Sequence, residues 1–280
     1  MKEEIFLLAS KEKQDEFSNF IQDLKAHYQV KSFAEIQRNK STVIVLGGDG
    51  TLNYLANLVG DDLEGIFVIY FPAGTANDFA KSIKILEGEP SLDKVKNIQE
   101  HSPWIDIPLM KCNDKFFINV ATGGIPAEVT NSGTDIVKKA VGKVEYYISA
   151  IKELIAPETI DLEFTAKEFS KKIATYGFLI SQGCYAGGGV KVTSNFTSNF
   201  KKTFNLVTME ADKLTECLGA LMDLQKKEIL QTNDCVISKN LENLMIESKR
   251  SIPLKLDGEE YEAKKLEFSK SKNKLNFYIY

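Results

Sequence analysis

The chain has 280 residues, 43% hydrophobic and 26% charged, with 35 basic against 39 acidic side chains and a net charge of −4. This is a soluble, globular composition with core enough for one large domain or two ordinary ones, and its acidic balance counts against a nucleic-acid binder. No apolar run reaches the length of a membrane span, and two histidines, His27 and His101, leave little for histidine triads or multi-histidine metal sites.

The acidic start, with only Ile5–Ala9 apolar behind it, is too short in its apolar part for a signal peptide and is expected to be a first strand. Phe17, Phe20, Ile21 and Leu24 then recur at three and four residues, which predicts one amphipathic helix over Lys11–Tyr28. A short extended piece at Val30–Phe33 leads to Val43–Leu46, an uninterrupted apolar run of the kind buried on both faces of a parallel sheet. That run enters Gly47-Gly48-Asp49-Gly50-Thr51, after which Leu52, Leu55, Ala56, Leu58 and Val59 follow at helical spacing. Ile66–Tyr70 repeats the pattern: a strand, a turn at Phe71–Thr75 and a helix from Ala76. Two such units suggest an open α/β sheet with a ligand crevice at the carboxyl ends of its strands.

Past His101 the character changes. Trp104–Leu109 and Phe116–Val120 are expected to pair across a turn at Cys112–Lys115, and a long helical pattern runs from Ile136 to Leu154. After Pro157 the chain is mostly β, with one more helix near Asp212–Leu224. Cys112, Cys184, Cys217 and Cys235 form no CxxC pair, which suits reduced, cytosolic thiols.

A strand, a glycine turn and a helix aim backbone N–H groups and a positive helix end at a phosphate. No Gly-Lys-Ser/Thr follows, so this is not a Walker A loop. Asp49 needs its own reason, because a bare carboxylate repels phosphate: it holds a metal ion, a metal-bound water or a basic side chain, or else it caps a helix in an ordinary βα turn.

Taken together, Gly47–Asn53 and Pro72–Ala80 resemble the diacylglycerol kinase catalytic-domain family, which includes bacterial soluble lipid kinases and sphingosine kinases. NAD kinases share the first motif and a related fold. The likeness continues in order through Ile105-Asp106-Ile107, Phe116–Gly124, Val144–Tyr147, Gly187-Gly188-Gly189 and Leu256–Glu259. It implies an α/β nucleotide-binding domain over residues 1–106, with an open, mainly parallel, NAD kinase-like sheet to which the chain end (about 270–280) returns. It also implies a β-rich lipid-substrate domain over 107–269, a β-sandwich with one long and one shorter helix. ATP with Mg²⁺ would bind at Gly47, Gly48, Gly50, Thr51, Gly74, Thr75 and Asn77. Asp49, Asp78 and Asp106 would form an acidic network, and Glu259 would be the general base that deprotonates the lipid hydroxyl. Without the resemblance, Glu259 is a solvated residue of an Asp-Gly hairpin turn, Asp78 a first-turn carboxylate and Asp106 an edge-strand surface residue.

The sequence departs from the family at several positions. Leu8-Ala9-Ser10-Lys11 replaces an Asn-Pro-x-Ser/Gly turn, with Lys11 or Lys13 as substitutes for its phosphate contact; Tyr54 replaces a glutamate, and Ser149 a lysine. Lys201-Lys202-Thr203-Phe204-Asn205 stands where the family reads Asp-Gly-x-Phe/Leu-Asp, so a structural Mg²⁺ site is expected to be lost at Lys201, leaving Mg²⁺ to arrive with ATP. Lys138, Lys139, Lys143 and Lys152, with Lys167, Lys171 and Lys172, form basic groups that either face anionic lipid or are solvated.

The expected function is phosphoryl transfer from ATP to diacylglycerol or a similar lipid alcohol by a cytoplasmic protein, peripheral at the inner membrane face, with no nucleic-acid partner and with homodimerisation left open. The alternatives are a weakly catalytic sensor or scaffold, and a kinase for a polyprenol, a sphingoid base or a nucleotide ribose.

Overall fold

In a computed structural model that describes residues 2–36, 40–85, 88–124, 159–193, 202–211 and 236–280, the chain opens on β1 (Glu4–Ala9), α1 (Lys11–Glu16), α2 (Ser18–His27) and β2 (Gln29–Ser32). It continues through β3 (Thr42–Gly47), α3 (Asp49–Val59), β4 (Ile66–Pro72), α4 (Asp78–Ile83) and α5 (Leu92–His101). β2, β1, β3 and β4 pair in that order, all parallel. Val43, Ile44, Val45 and Leu46 are fully buried because both faces of the sheet are covered. Val43 and Val45 meet Leu52, Leu55 and Ala56 of α3 and Phe79 of α4 on one face. Ile44 and Leu46 meet Phe20, Ile21 and Leu24 of α2 and Val95 and Ile98 of α5 on the other. The sequence reading passed over α5, a short helix capped by Ser91, whose Oγ accepts the Lys94 N–H at 3.2 Å.

The single helix expected over Lys11–Tyr28 is two. Phe17 leaves helical geometry at φ −101°, ψ 29°. The break lets α2 turn its apolar stripe onto the sheet, while α1 buries no side chain.

β5 (Trp104–Cys112), β6 (Lys115–Phe117), β7 (Val120–Gly124), β8 (Ile160–Ala166) and β9 (Phe169–Ser181) follow, then the short pair β10 (Tyr185–Ala186) and β11 (Val190–Lys191). The chain closes with β12 (Phe204–Glu210), β13 (Val236–Leu241), β14 (Leu244–Leu256) and β15 (Glu259–Tyr278). β5 and β6 form the expected hairpin. The expected sandwich of separate sheets is instead one continuous antiparallel system among the described residues: β8 and β7 each bridge β9 to β14, so the strands close around a single core. A register shift between Glu247 and Ile252 bends β14, which lets its two halves take different partners. Phe164, Phe178, Ile246 and Phe268 lie in that core.

β15 joins the two regions. Its first part pairs antiparallel with β14, and Leu275–Phe277 near the chain end pair parallel with β4. β5 crosses alongside it: Leu109 packs into the α/β core and Met110 into the β core. The long helix expected over Ile136–Leu154, the shorter one over Asp212–Leu224, and the expectations for Lys138, Lys139, Lys143, Ser149, Lys152, Lys201, Cys217 and Cys235 lie outside the described residues. Among the described residues no helix is long and apolar enough to cross a membrane.

Candidate functional site

Gly47 and Pro72 stand opposite each other at the carboxyl ends of β3 and β4, so the two glycine turns leave the sheet side by side. The turns touch backbone to backbone: a Cβ on Gly74 would lie 2.6 Å from Gly48 Cα, and a Cβ on Gly48 3.0 Å from Gly74 Cα. Only glycine permits that approach. The second turn is folded by Asn77, whose Oδ1 accepts the Gly74 N–H at 3.0 Å and whose Nδ2 donates to Gly74 O at 2.8 Å. Asn77 sits in the left-handed region at φ 50°, and its side chain is committed to shaping the turn. Thr51 packs back over Gly47, while Gly50 and Thr75 are exposed at the rim. Gly74→Ala is expected to lower Tm, because the clashing atom is backbone and one turn must shift away from the other; thermal melts against wild type measure it.

Asp49 is a helix cap, but of the helix that follows the other turn. Its Oδ2 accepts the N–H of Asp78 at 3.0 Å and its Oδ1 that of Phe79 at 3.1 Å, so the carboxylate of one glycine turn caps the helix that follows the other. Burial raises its pKa, opposed by those two N–H groups and by the charge of Lys81. Asp78 is 4% exposed. Its Oδ2 accepts the Gly188 N–H at 2.8 Å, which ties α4 to the Gly187–Gly189 turn, where φ is positive at all three glycines. Its Oδ1 is buried with no hydrogen-bond partner among the described residues, 3.9 Å from Lys81 Nζ. Burial raises this carboxyl as well, and the nearby Asp49 adds to the effect.

The late Asp-Gly pair forms the two-residue turn between β14 and β15, with φ 49° at Asp257 and 102° at Gly258. Asp257 folds back into the protein and accepts three backbone N–H groups: Ile118 at 2.6 Å, Asn119 at 2.9 Å and Val120 at 2.8 Å. Glu259, just beyond, is exposed, and its Oε1 lies 3.8 Å from where a Cβ would sit on Gly50. The fold thus carries the late glutamate to the start of α3. Two amides tie α3 to the neighbouring strands. Asn53 Nδ2 donates to Leu256 O at 3.1 Å, and Asn57 pairs with the Phe116 backbone, donating to its O at 2.8 Å and accepting its N–H at 3.0 Å.

Asp106 is not brought into this cluster. Ile105 and Ile107, its neighbours on β5, pack into the α/β core, so alternation turns Asp106 to the opposite, exposed face. Its strand position faces Asn276, which pairs with Phe67, five residues before the carboxyl end of β4 where the turns begin. Lys13 pairs with Glu16 at 2.6 Å.

Residues 5–107 match the diacylglycerol kinase catalytic domain. The lipid kinase YegS of Escherichia coli K12 is 30% identical over 224 residues, 78% of this chain and 71% of that protein. The chain belongs to the diacylglycerol kinase family. Within it, the diacylglycerol kinase of Staphylococcus carnosus TM300 is 28% identical over 233 residues, covering 82% of this chain and 74% of that one. The fold is shared with a diacylglycerol kinase from Bacillus anthracis Sterne, at a TM-score of 0.68 and 14% identity over all of this chain and 97% of that one.

Three features of this family member escaped the sequence reading: Asp257, the Asn53 and Asn57 amides, and Ser82. Ser82 Oγ accepts the N–H groups of Cys184 and Tyr185 and so seats the loop that leads to the triple glycine. The Asp-Gly turn was visible in sequence, but the burial of its aspartate was not. Nothing in the spacing of Ser82 marks it.

Proposed function

We propose that this lipid kinase transfers the γ-phosphate of ATP to the hydroxyl of diacylglycerol or a similar lipid alcohol. The observation that carries the reading is the meeting of Glu259 with Gly50. It puts an exposed carboxylate beside a helix start that favours phosphate. Phosphoryl transfer needs alignment and charge neutralisation more than covalent help. In this reading the glycine turns hold the nucleotide phosphates against backbone N–H groups. Glu259 takes the proton from the lipid hydroxyl as that oxygen bonds to the γ-phosphorus and the bond to the β,γ-bridging oxygen breaks, releasing ADP.

Mg²⁺ fits as an ion that arrives on ATP. Magnesium on nucleotides needs only one or two protein carboxylates, and the described residues contain no cluster of three or more ligating side chains. Asp78, whose buried Oδ1 has no hydrogen-bond partner among the described residues, would be the residue to hold it, and the ion would neutralise phosphate charge. Asp49 acts here as the cap that keeps α4 and both turns in place, and Asp106 takes no part. A peripheral setting follows from the acceptor, which resides in a membrane, and ATP as the donor suits the cytoplasmic side.

The test is label transfer from γ-labelled ATP to a lipid extract in mixed micelles, with the product identified by mass. Phosphatidic acid from the wild type is expected, together with its loss on chelation of Mg²⁺. ATP binding without transfer to any lipid would overturn the reading in favour of a sensor or scaffold.

A further inference from the structure

A bulge divides the hairpin that carries Glu259. β14 and β15 pair from Ile252 opposite Ala263 out to Leu256 opposite Glu259, and again where Glu247 meets Lys265, with a register shift between the two stretches. Such a shift bends the strand and breaks the ladder locally, so the tip, residues 252–263, is set apart from the base of the hairpin. On the β14 side the tip is held by β7, through Leu254 and Leu256. On the β15 side it has β14 along one edge only. Among the described residues no strand covers the other edge there, because β5 joins β15 from Phe268 onward.

Asn113 stands on that open edge. It belongs to the turn between β5 and β6 and is left-handed, at φ 54°. Its backbone N–H donates to Glu267 O at 3.0 Å, and its Oδ1 accepts the Glu267 N–H at 2.8 Å. Its Nδ2 donates to Lys265 O and to the Tyr261 hydroxyl, both at 3.0 Å. The Tyr261 hydroxyl in turn faces Asp114 Oδ1, 3.5 Å away. One amide therefore grips the base of the hairpin at Lys265 and Glu267 and its tip at Tyr261, across the bulge. Tyr261 is two residues beyond Glu259 on β15, so the two side chains share a face, and both line a groove of about 390 Å³ beside α3.

We infer that Tyr261 is a positioning residue for Glu259, stapled through its hydroxyl to Asn113 so that the carboxylate keeps its place against Gly50. This rests on the reading of Glu259 as the general base; Tyr261 itself takes no proton. Asp257 and Asn53 fix the turn that precedes Glu259, and Tyr261 fixes the strand that follows it. A base works only within hydrogen-bond reach of its proton, and misplacing a reacting group by about 1 Å costs on the order of a hundredfold in rate.

Tyr261→Phe removes the hydroxyl and keeps the ring. The test introduces it into wild type and into Glu259→Gln and follows transfer from γ-labelled ATP to dioctanoylglycerol in non-ionic mixed micelles. In the wild-type background kcat is expected to fall about tenfold, with the ATP KM within about twofold. In Glu259→Gln the residual kcat should stay within about twofold, because a base that is absent cannot be misplaced. Asn113→Gly keeps the left-handed turn and loses the amide; it should also lower kcat, and adding Tyr261→Phe to it should lower kcat no further. Hydrogen exchange on the nucleotide-free protein reads the staple without turnover: amides of residues 259–263 should exchange at least about threefold faster in Tyr261→Phe. An equal fall in both backgrounds, an unchanged kcat in the first, or unaltered exchange overturns the proposal. Full turnover in Glu259→Gln, or no lipid phosphorylation by wild type, marks instead the failure of the general-base reading, and the positioning role falls with it.

Discussion

Glu259→Gln is expected to lower lipid phosphorylation by about 10²- to 10⁴-fold, the usual contribution of a positioned general base, with ATP affinity within about twofold of wild type. Glutamine keeps the size and the reach toward Gly50 but cannot take a proton. The effect should fall on kcat, because in the proposed mechanism the carboxylate acts as the acceptor oxygen attacks and contributes little to holding ATP. Glu262→Gln, an exposed carboxylate on the same strand, serves as the control and should retain activity. Steady-state kinetics on the three proteins checks this. Turnover near wild type in Glu259→Gln would place the base elsewhere and remove the main support for reading this turn as catalytic.

Asp257→Ala should cost stability more than any other single change at the site. Three backbone N–H groups, on Ile118, Asn119 and Val120, would lose their acceptor in a buried place. At 1–3 kcal/mol for each unsatisfied group the loss is about 3 kcal/mol or more, or roughly 6–12 °C in Tm for a chain of this size. Asp257→Asn leaves one oxygen to accept but turns an NH₂ toward an N–H, so it should fall between the two. The carboxyl also carries a pH signature. Burial pushes its pKa up to about 7 from an ordinary 3.8, outweighing the three N–H donors that favour the charged form. The folded pKa lies above the unfolded one, so the stabilisation is complete below about pH 4 and is lost as pH rises through about 7. Wild type should therefore lose up to roughly 4 kcal/mol between those limits, a decline missing from Asp257→Asn. Thermal melts across pH 4–8 measure both effects, and parallel curves for the two proteins would show that Asp257 does not titrate in this range.

Asp257 and Glu259 divide the work of one hairpin turn. Asp257 anchors the turn to the Ile118–Val120 backbone, and Gly258, at φ 102°, lets the chain swing outward so that Glu259 reaches Gly50. The Asn53 amide meets the same turn from the side of α3. The start of α3 and the Glu259 hairpin thereby share a common frame.

The sequence by itself determined the parts whose physics is local. A run such as Val43–Leu46 has to be a strand covered on both sides, and the chain has to leave the sheet close to Gly48 and Gly74, because apolar periodicity and glycine conformations act over a few residues. The family motifs added the identity of the late glutamate. Only the tertiary structure decided which motif meets which. It made Asp49 cap α4, the helix after the other turn, brought Gly48 against Gly74, and set Asp106 on the face away from the cluster. It also buried Asp257, whose surroundings come from residues more than a hundred positions earlier in the chain. Hydrogen-bond partners and burial depend on how the sheet brings distant segments side by side, and no window of sequence carries that information.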